Sequence, residues 1–282
     1  MVSIIVTAYN VGEWIEEAVA SALAQTFSDI ELVIVDDRST DNTPEVLSAI
    51  HDERVKIIRN EENLGAGASR RKGIEASGGE YILLLDGDDW IAPNFIEDLY
   101  TKAKESNAQI ASGGITIAES NGNSKVFRNE ECEVTGTEKI TRFWGGNTLF
   151  MNNKLIHRSL HSKVPYCTRR YIEDTQVIVP MLYLANKVAC VSNPGYFYRM
   201  HRQSLTHTAT PLKDALFRAL CADDIISFFE QHDKSMLALL PLASGYAQCI
   251  KEIKECAPTA KDIEPYKEEW IEFTAKLIGR LC

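Results

Sequence analysis

Apolar positions in the first part of the chain keep two alternating rhythms. Val2 to Thr7, Ile30 to Val35, Val55 to Arg59 and Tyr81 to Leu85 are short runs rich in β-branched and aliphatic side chains. They are long enough for buried strands and too short for helices. Between the first two, Val11 to Gln25 places Trp14, Ile15, Ala18, Val19, Ala22 and Leu23 at helical spacing. Pro44 to Ile50 and Ala66 to Ala76 read as further helices, the first capped by Thr43 with Pro44 at its first helical position. Strands alternating with helices predict βαβ units and an α/β fold with a mostly parallel sheet. Asn94 to Lys104 continues as a helix and Ile110 to Ile117 as one strand. The polar stretch Glu119 to Gly136 then reads as an exposed loop or hairpin. From Leu212 onward the spacing is helical, over Ala215 to Glu230, Met236 to Lys254 and Tyr266 to Leu281, with breaks at His232-Asp233 and Ala257-Pro258. This region is expected to be a helical appendage packed on the sheet.

Composition narrows the function more than the fold. The 282 residues are 45 % hydrophobic and 25 % charged, which excludes disorder as the main state. At ~150 residues per domain the length suggests about two units, and one large α/β domain with an appendage fits equally well. Forty acidic against thirty basic side chains leave a formal charge of −10. That balance argues against nucleic acid as a partner, because such affinity comes mostly from neutralising phosphates. No apolar run approaches the ~20 residues a membrane-spanning helix needs, and Met1 to Val6 lacks a basic leader region, so a cytoplasmic location is expected. Seven cysteines, an odd number without a CxxC pair, fit a reducing compartment rather than a disulfide framework or a structural zinc site.

Candidate chemistry collects where predicted strands end. Asp36-Asp37-Arg38-Ser39-Thr40-Asp41 follows Leu32 to Val35 directly, and Asp86-Gly87-Asp88-Asp89 follows Tyr81 to Leu85. In an open parallel sheet, ligands bind at the carboxyl ends of the strands. Three carboxylates in four residues repel one another unless a cation is present, and hard divalent cations take carboxylate oxygens together with ligand phosphates. A plainer reading also stands: Asp36 and Asp41 cap the turn that follows, and the second cluster is a solvated bend.

Four segments in order, Val2 to Asn10, Val33 to Thr43, Asn63-Leu64-Gly65 with Ser69-Arg70, and Tyr81 to Asp89, resemble successive motifs of the family 2 glycosyltransferases. The resemblance covers about the first 115 residues. It implies a GT-A fold, a Rossmann-like sheet flanked by helices, and an inverting transfer of sugar from a nucleoside-diphosphate sugar, with Mn²⁺ or Mg²⁺ as cofactor. By position, it places Thr7, Tyr9, Asp36 and Asp37 around the nucleotide, Asp37 nearest the base. Arg70 would lie beside the base or phosphates, with Arg71 an adjacent alternative. Asp86 would reach the ribose or metal, Asp88 would ligate the metal as the second carboxylate of an Asp-x-Asp motif, and Asp89 is a lesser candidate. A cation there stabilises the charge that a diphosphate leaving group gains.

An inverting transfer also needs a base opposite the leaving group. The acidic pair Glu173-Asp174, after Arg169-Arg170-Tyr171, matches the family's base position, with Asp174 preferred. Read on its own, an acidic pair at a helix start compensates the helix dipole. Tyr196 to Thr206 resembles the family's closing aromatic and basic segment. There Arg199 and Arg202 would bind phosphate, His201 would touch the metal or phosphate, and Ser204 would offer a hydroxyl. Trp14, Trp90, Phe95, Phe143 and Trp144 read as core or cleft wall, with Trp90 placed to face the sugar. Gly65-Ala66-Gly67 opens a helix that can approach phosphate and lacks the continuation of a P-loop.

The expected organisation is a nucleotide-sugar half over 1–117, an acceptor and catalytic half over 118–211, and the helical appendage over 212–282. The expected activity is that of a hexosyl- or N-acetylhexosaminyltransferase using a UDP-sugar and a hydroxyl acceptor, a glycan or lipid-linked glycan, in bacterial surface polysaccharide or glycoconjugate synthesis. Peripheral contact with the inner face of the membrane and a homodimer through the C-terminal helices complete the expected partners. Two other functions compete. A catalytically silent nucleotide-sugar binder would keep the donor motifs without turnover, and a sugar-phosphate nucleotidyltransferase would want an N-terminal glycine-rich phosphate loop that is absent here.

Overall fold

The computed structural model describes residues 1–143, 149–166, 173–201, 210–239, 242–256 and 258–281, apart from the side chains of 173, 238, 239, 242, 243 and 281. Its strands are β1 (Val2–Ala8), β2 (Ile30–Asp36), β3 (Val55–Arg59), β4 (Tyr81–Asp86), β5 (Trp90–Ile91), β6 (Ile110–Ser112), β7 (Ile115–Glu119), β8 (Ser124–Phe127), β9 (Cys132–Val134), β10 (Lys154–His157), β11 (Val188–Cys190) and β12 (Tyr196–Met200). Its helices are α1 (Ile15–Leu23), α2 (Thr43–Ser48), α3 (Ala66–Glu75), α4 (Phe95–Ser106), α5 (Glu138–Thr141), α6 (Arg158–His161), α7 (Glu173–Leu184), α8 (Pro211–His232), α9 (Met236–Leu239), α10 (Leu242–Glu255), α11 (Ala260–Ile263) and α12 (Lys267–Leu281).

An eight-stranded sheet runs in the order β3-β2-β1-β4-β10-β6-β11-β9, and a four-stranded sheet in the order β5-β12-β7-β8. β1, β2, β3 and β4 are parallel, as the βαβ reading requires. The register sets Thr7 beside both Val35 and Asp86, and Ala8 beside Asp36. The carboxyl ends of β1, β2 and β4 therefore meet at one edge. Successive residues of β1 feed opposite layers, as a strand's period of two demands. Val2, Ile4 and Val6 pack with Ile15 and Ala18 of α1 and Phe95 and Leu99 of α4. Ile5 packs in the other layer, which holds Ile74 of α3, Val177 and Met181 of α7, and Leu216 and Leu220 of α8. The C-terminal helices thus join the same core as the sheet, through α7.

The strands depart from the sequence expectation at β6–β7 and at β10. The single strand expected over Ile110 to Ile117 is two strands in different sheets, divided at Gly113-Gly114. A Cβ on Gly113 would lie 2.4 Å from the Phe95 ring, and one on Gly114 would lie 2.3 Å from the Phe127 carbonyl oxygen. Two residues without side chains let the backbone cross between sheets at that density. The expected helix Met236 to Lys254 is helical over α9 and α10, on either side of 240 and 241, which lie outside the described residues. β10, which the hydrophobic pattern did not announce, inserts antiparallel between β4 and β6. The polar stretch after Glu119 forms the β7–β8 hairpin and then β9. The cysteines at 132, 190, 221, 249 and 256 are free thiols.

Candidate active site

The loops after β1 and β2 are stitched to each other before any ligand is considered. Asn10, held at φ 55°, accepts through Oδ1 from the Thr40 backbone N–H at 2.8 Å, and its own N–H donates to Ser39 Oγ at 3.0 Å. Arg38 is likewise left-handed at φ 65°. Left-handed backbone in non-glycine residues marks a loop whose shape is over-determined by its surroundings. Gly12 sits so close to Asn42 that a Cβ would approach its Oδ1 to 2.1 Å.

The first acidic pair serves these loops. Asp36 is buried, accepts from the Ser39 N–H at 2.9 Å and pairs with Arg59 at 3.2 Å. Asp37 is also buried, and accepts from Asn60 Nδ2 and from the Leu64 and Gly65 N–H groups, each at 2.8 Å. The carboxylate of Asp37 therefore shapes the loop that leads into α3. Tyr9 is exposed beside the same edge.

The second cluster is built around tight backbone approach. The Gly87 N–H donates to the Thr7 carbonyl at 2.9 Å, and a Cβ there would lie 3.0 Å from that oxygen and from Val11. The turn separates its three carboxylates into three settings. Asp86 accepts from Thr7 Oγ1 at 3.1 Å, from Arg70 Nη2 at 3.0 Å and from Asn152 Nδ2 at 2.7 Å. Asp88 faces His201, whose Nε2 lies 2.8 Å from its Oδ2. Asp89 turns inward, where Tyr196 OH donates to it at 2.6 Å and the Arg199 N–H at 2.8 Å. Burial, and after it the charges of Asp88 and Asp86, holds the Asp89 carboxyl well above the ordinary carboxylate range. Asp89 thus anchors β12 and does not point toward a ligand.

Arg70 joins the two acidic regions that sequence spacing leaves 88 residues apart, 86 and 174. Its Nη1 donates to Asp174 Oδ1 at 2.6 Å while Nη2 reaches Asp86. The Met151 N–H lies 3.4 Å from the other Asp174 oxygen. Arg71 instead pairs with Glu75 at 2.8 Å on the exposed face of α3, so of the two arginines Arg70 is the one that meets the acids. Glu173 opens α7, and its side chain lies outside the described residues. Arg202 and Ser204 lie outside them as well.

Arg199 is placed differently from a free phosphate ligand. Its Nε donates to the Asp88 carbonyl at 2.8 Å, its guanidinium stacks over Trp90 at 4.4 Å, and it pairs with Glu17 of α1. Trp90 in turn stacks flat on Phe197 at 5.0 Å. Trp14 packs against the His201 ring at 4.1 Å. The N-terminal turn of α1 therefore braces the end of β12 beside Asp88.

Sequence reasoning passes over Asn152 and Lys154, and places Tyr196 only as the first residue of the closing segment. Asn152 bridges Asp86 and Tyr196 OH, the latter at 3.0 Å. Lys154 is fully buried next to it, donating to the Phe150 carbonyl and to Asn153 Oδ1, and burial pushes its ammonium down to about 7. The polar trio Asn152-Asn153-Lys154 ahead of Leu155-Ile156 was the available signal. His161, deeply buried against Tyr166 OH at 2.6 Å, is pushed down to about 3 by burial and reads as structural.

Among the described residues no three His, Cys, Asp or Glu side chains already converge as a cation site. The donor chemistry nevertheless fits one: the carboxylate of Asp88 and the imidazole of His201 meet at 2.8 Å beside Asp86, a set of ligand types that suits Mn²⁺ or Mg²⁺ completed by phosphate oxygens.

Residues 3–169 match the model of Glycosyl transferase family 2. The chain belongs to that family. It is 28 % identical over 287 residues to the glycosyltransferase GlyG of Streptococcus pneumoniae, covering 95 % of this chain and 93 % of GlyG. It is 31 % identical to the succinoglycan biosynthesis protein ExoO of Rhizobium meliloti, over 73 % of this chain and 62 % of ExoO. A crystal structure of S. aureus TarS 1-349 in complex with UDP-GlcNAc superposes with a TM-score of 0.69 at 20 % identity, over 96 % of this chain and 79 % of that one, which establishes the GT-A fold. Like GlyG the chain is a glycosyltransferase, and among its described residues no helix is long and apolar enough to cross a membrane.

Proposed function

We propose that this glycosyltransferase takes a sugar from a UDP-sugar and passes it, with inversion and with the help of a divalent cation, to a hydroxyl of a glycan acceptor in polysaccharide assembly. The observation that carries the reading is the fork of Arg70, which brings Asp86 at the end of β4 and Asp174 at the start of α7 to opposite sides of one guanidinium. Donor and base sides of an inverting transfer must lie that close, because the acceptor oxygen attacks the anomeric carbon from the face opposite the leaving diphosphate.

In this assignment Thr7, Tyr9 and the loops shaped by Asp36 and Asp37 receive the nucleotide. Asp88 and His201 would hold the cation with Asp86, and a cation there would offset the charge of the departing diphosphate. Asp174 takes the acceptor's proton as the new glycosidic bond forms and the bond to the diphosphate oxygen breaks. Arg199 keeps the Asp88 backbone in place from behind rather than binding phosphate. Residues 1–117 then supply the donor half, 118–211 the acceptor half and 212–282 the helical appendage. UDP and UDP-GlcNAc in the TarS complexes and succinoglycan biosynthesis in the ExoO name support the choice of donor and process.

Calorimetric titration with UDP, with and without Mn²⁺, tests the donor side. Binding should depend on Mn²⁺ and be lost in Asp88→Ala, while Asp174→Asn keeps it and loses transfer. Equal loss of nucleotide binding in both variants would refute the division of roles.

A further inference from the structure

The start of α7 is held from two sides, and the second hold comes from the C-terminal helices. Asp174 and Gln176 are two positions apart, which sets them about 200° apart around the helix axis. Asp174 faces Arg70. Gln176 faces away from it and donates through Nε2 to Asp224 Oδ2 of α8 at 2.6 Å.

Asp224 is itself fixed by the last helix. Lys276 of α12 bonds to Asp224 and reaches Asp223 at 3.0 Å, and Arg280 bonds to Asp223 and reaches Glu230 at 3.1 Å. Asp223 is only 3 % exposed, so these cations neutralise charge that water hardly touches. Burial opposes the charge on Lys276, yet its bonds to Asp224 and Asp223 keep the ammonium above its ordinary range. The link runs from α12 through α8 to the first turn of α7.

We propose that Gln176 and Asp224, locked by Lys276, are positioning residues for Asp174, and that the C-terminal helices thereby set the geometry of proton abstraction. The inference rests on Asp174 as the base. A carboxylate that must meet an acceptor hydroxyl at hydrogen-bond distance tolerates little drift, and a displacement of about 1 Å costs up to ~10²-fold in rate. Arg70, with the Met151 N–H 3.4 Å from the same carboxylate, holds the Asp174 side of the helical turn. A turn held on a single face is free to rock about that contact, whereas opposed contacts remove the motion.

The test uses the full chain with Gln176→Ala, Lys276→Met, Lys276→Arg and Asp174→Asn. The first readout needs no ligand: amide exchange in the first two turns of α7 should quicken about tenfold or more in Gln176→Ala and Lys276→Met, with β1, β2 and β4 unchanged. Lys276→Arg should restore protection. The second readout is UDP release from UDP-GlcNAc and UDP-glucose with water as acceptor. Gln176→Ala should lower kcat about 10- to 100-fold with KM and Mn²⁺-dependent UDP affinity unchanged.

Wild-type exchange and kcat in Gln176→Ala overturn the inference, as does loosening spread evenly over the sheet, which would mark Gln176 as merely structural. Asp174→Asn with unimpaired turnover overturns the base assignment, and the inference with it. Asp174→Asn without turnover beside Gln176→Ala at full kcat overturns the inference and leaves the base assignment standing.

Discussion

Replacing Arg70 by Met keeps most of the side chain's volume and removes the guanidinium that Asp86 and Asp174 share. The arginine side chain is 5 % exposed, and the two carboxylates are 28 % and 23 % exposed. Breaking a fully buried ion pair from one side costs about 3–5 kcal/mol, chiefly because the abandoned charge stays desolvated. Solvent reaches a quarter of each carboxylate here, so screening lowers the expected loss to ~2–3 kcal/mol. Asp174→Asn removes charge but leaves an amide oxygen that still accepts from Nη1, and should cost ~1 kcal/mol. In the double variant Asp86 is the one of the two carboxylates that keeps its charge without Arg70, so the double variant's loss should fall short of the sum of the single losses by ~1–2 kcal/mol. Urea unfolding of the four proteins, with m unchanged across the set, measures that coupling. Arg70→Lys should fall between wild type and Arg70→Met, since an ammonium cannot span two carboxylates as a planar fork does. Losses that add to within ~0.5 kcal/mol would refute the claim that one cation serves both acids.

Three further outcomes follow from the same geometry. Lys154 has its folded value pushed down to about 7 by burial, from 10.5, so between those limits the folded state binds fewer protons than the unfolded one. Stability should therefore rise as pH rises from about 7 toward 10.5, a gain of up to ~5 kcal/mol that Lys154→Met abolishes; parallel stability curves for the two proteins from pH 6 to 10 would contradict this. Gly114→Ala forces a methyl against the Phe127 carbonyl, so the β7–β8 pairing must shift, and a thermal melt should show a loss of about 2 kcal/mol or roughly 5 °C. Arg71→Ala breaks only an exposed pair with Glu75, and should leave both unfolding and UDP affinity at wild-type values to within ~0.5 kcal/mol, unlike Arg70→Met.

How far each feature could be read from the sequence depends on how local its cause is. β1, β2 and β4 announce themselves because strands covered on both faces need unbroken apolar runs, and Asp36 and Asp86 are conspicuous because they terminate those runs. β10 has the opposite character: Lys154 to His157 carries a lysine and a histidine in four residues, and becomes a central strand only because β4 and β6 leave a gap that an antiparallel segment fills. Arg199 is legible only as part of the closing aromatic and basic segment; its partners Glu17 and Trp90 are distant in sequence and leave no trace near position 199.

The ambiguity between Arg70 and Arg71 sits between these extremes and was soluble from local pattern. Helical spacing puts Gly67, Arg70 and Ile74 on one face and Arg71 with Glu75 on another. Ile74 must face the core, and glycine at position 67 permits close approach on the same side. The arginine sharing that face is obliged to find buried acids, whereas its neighbour has an acid four residues on and needs nothing else. Helix phase therefore selects which arginine meets the acidic centre, even though the partners it finds, Asp86 and Asp174, are a matter of tertiary structure.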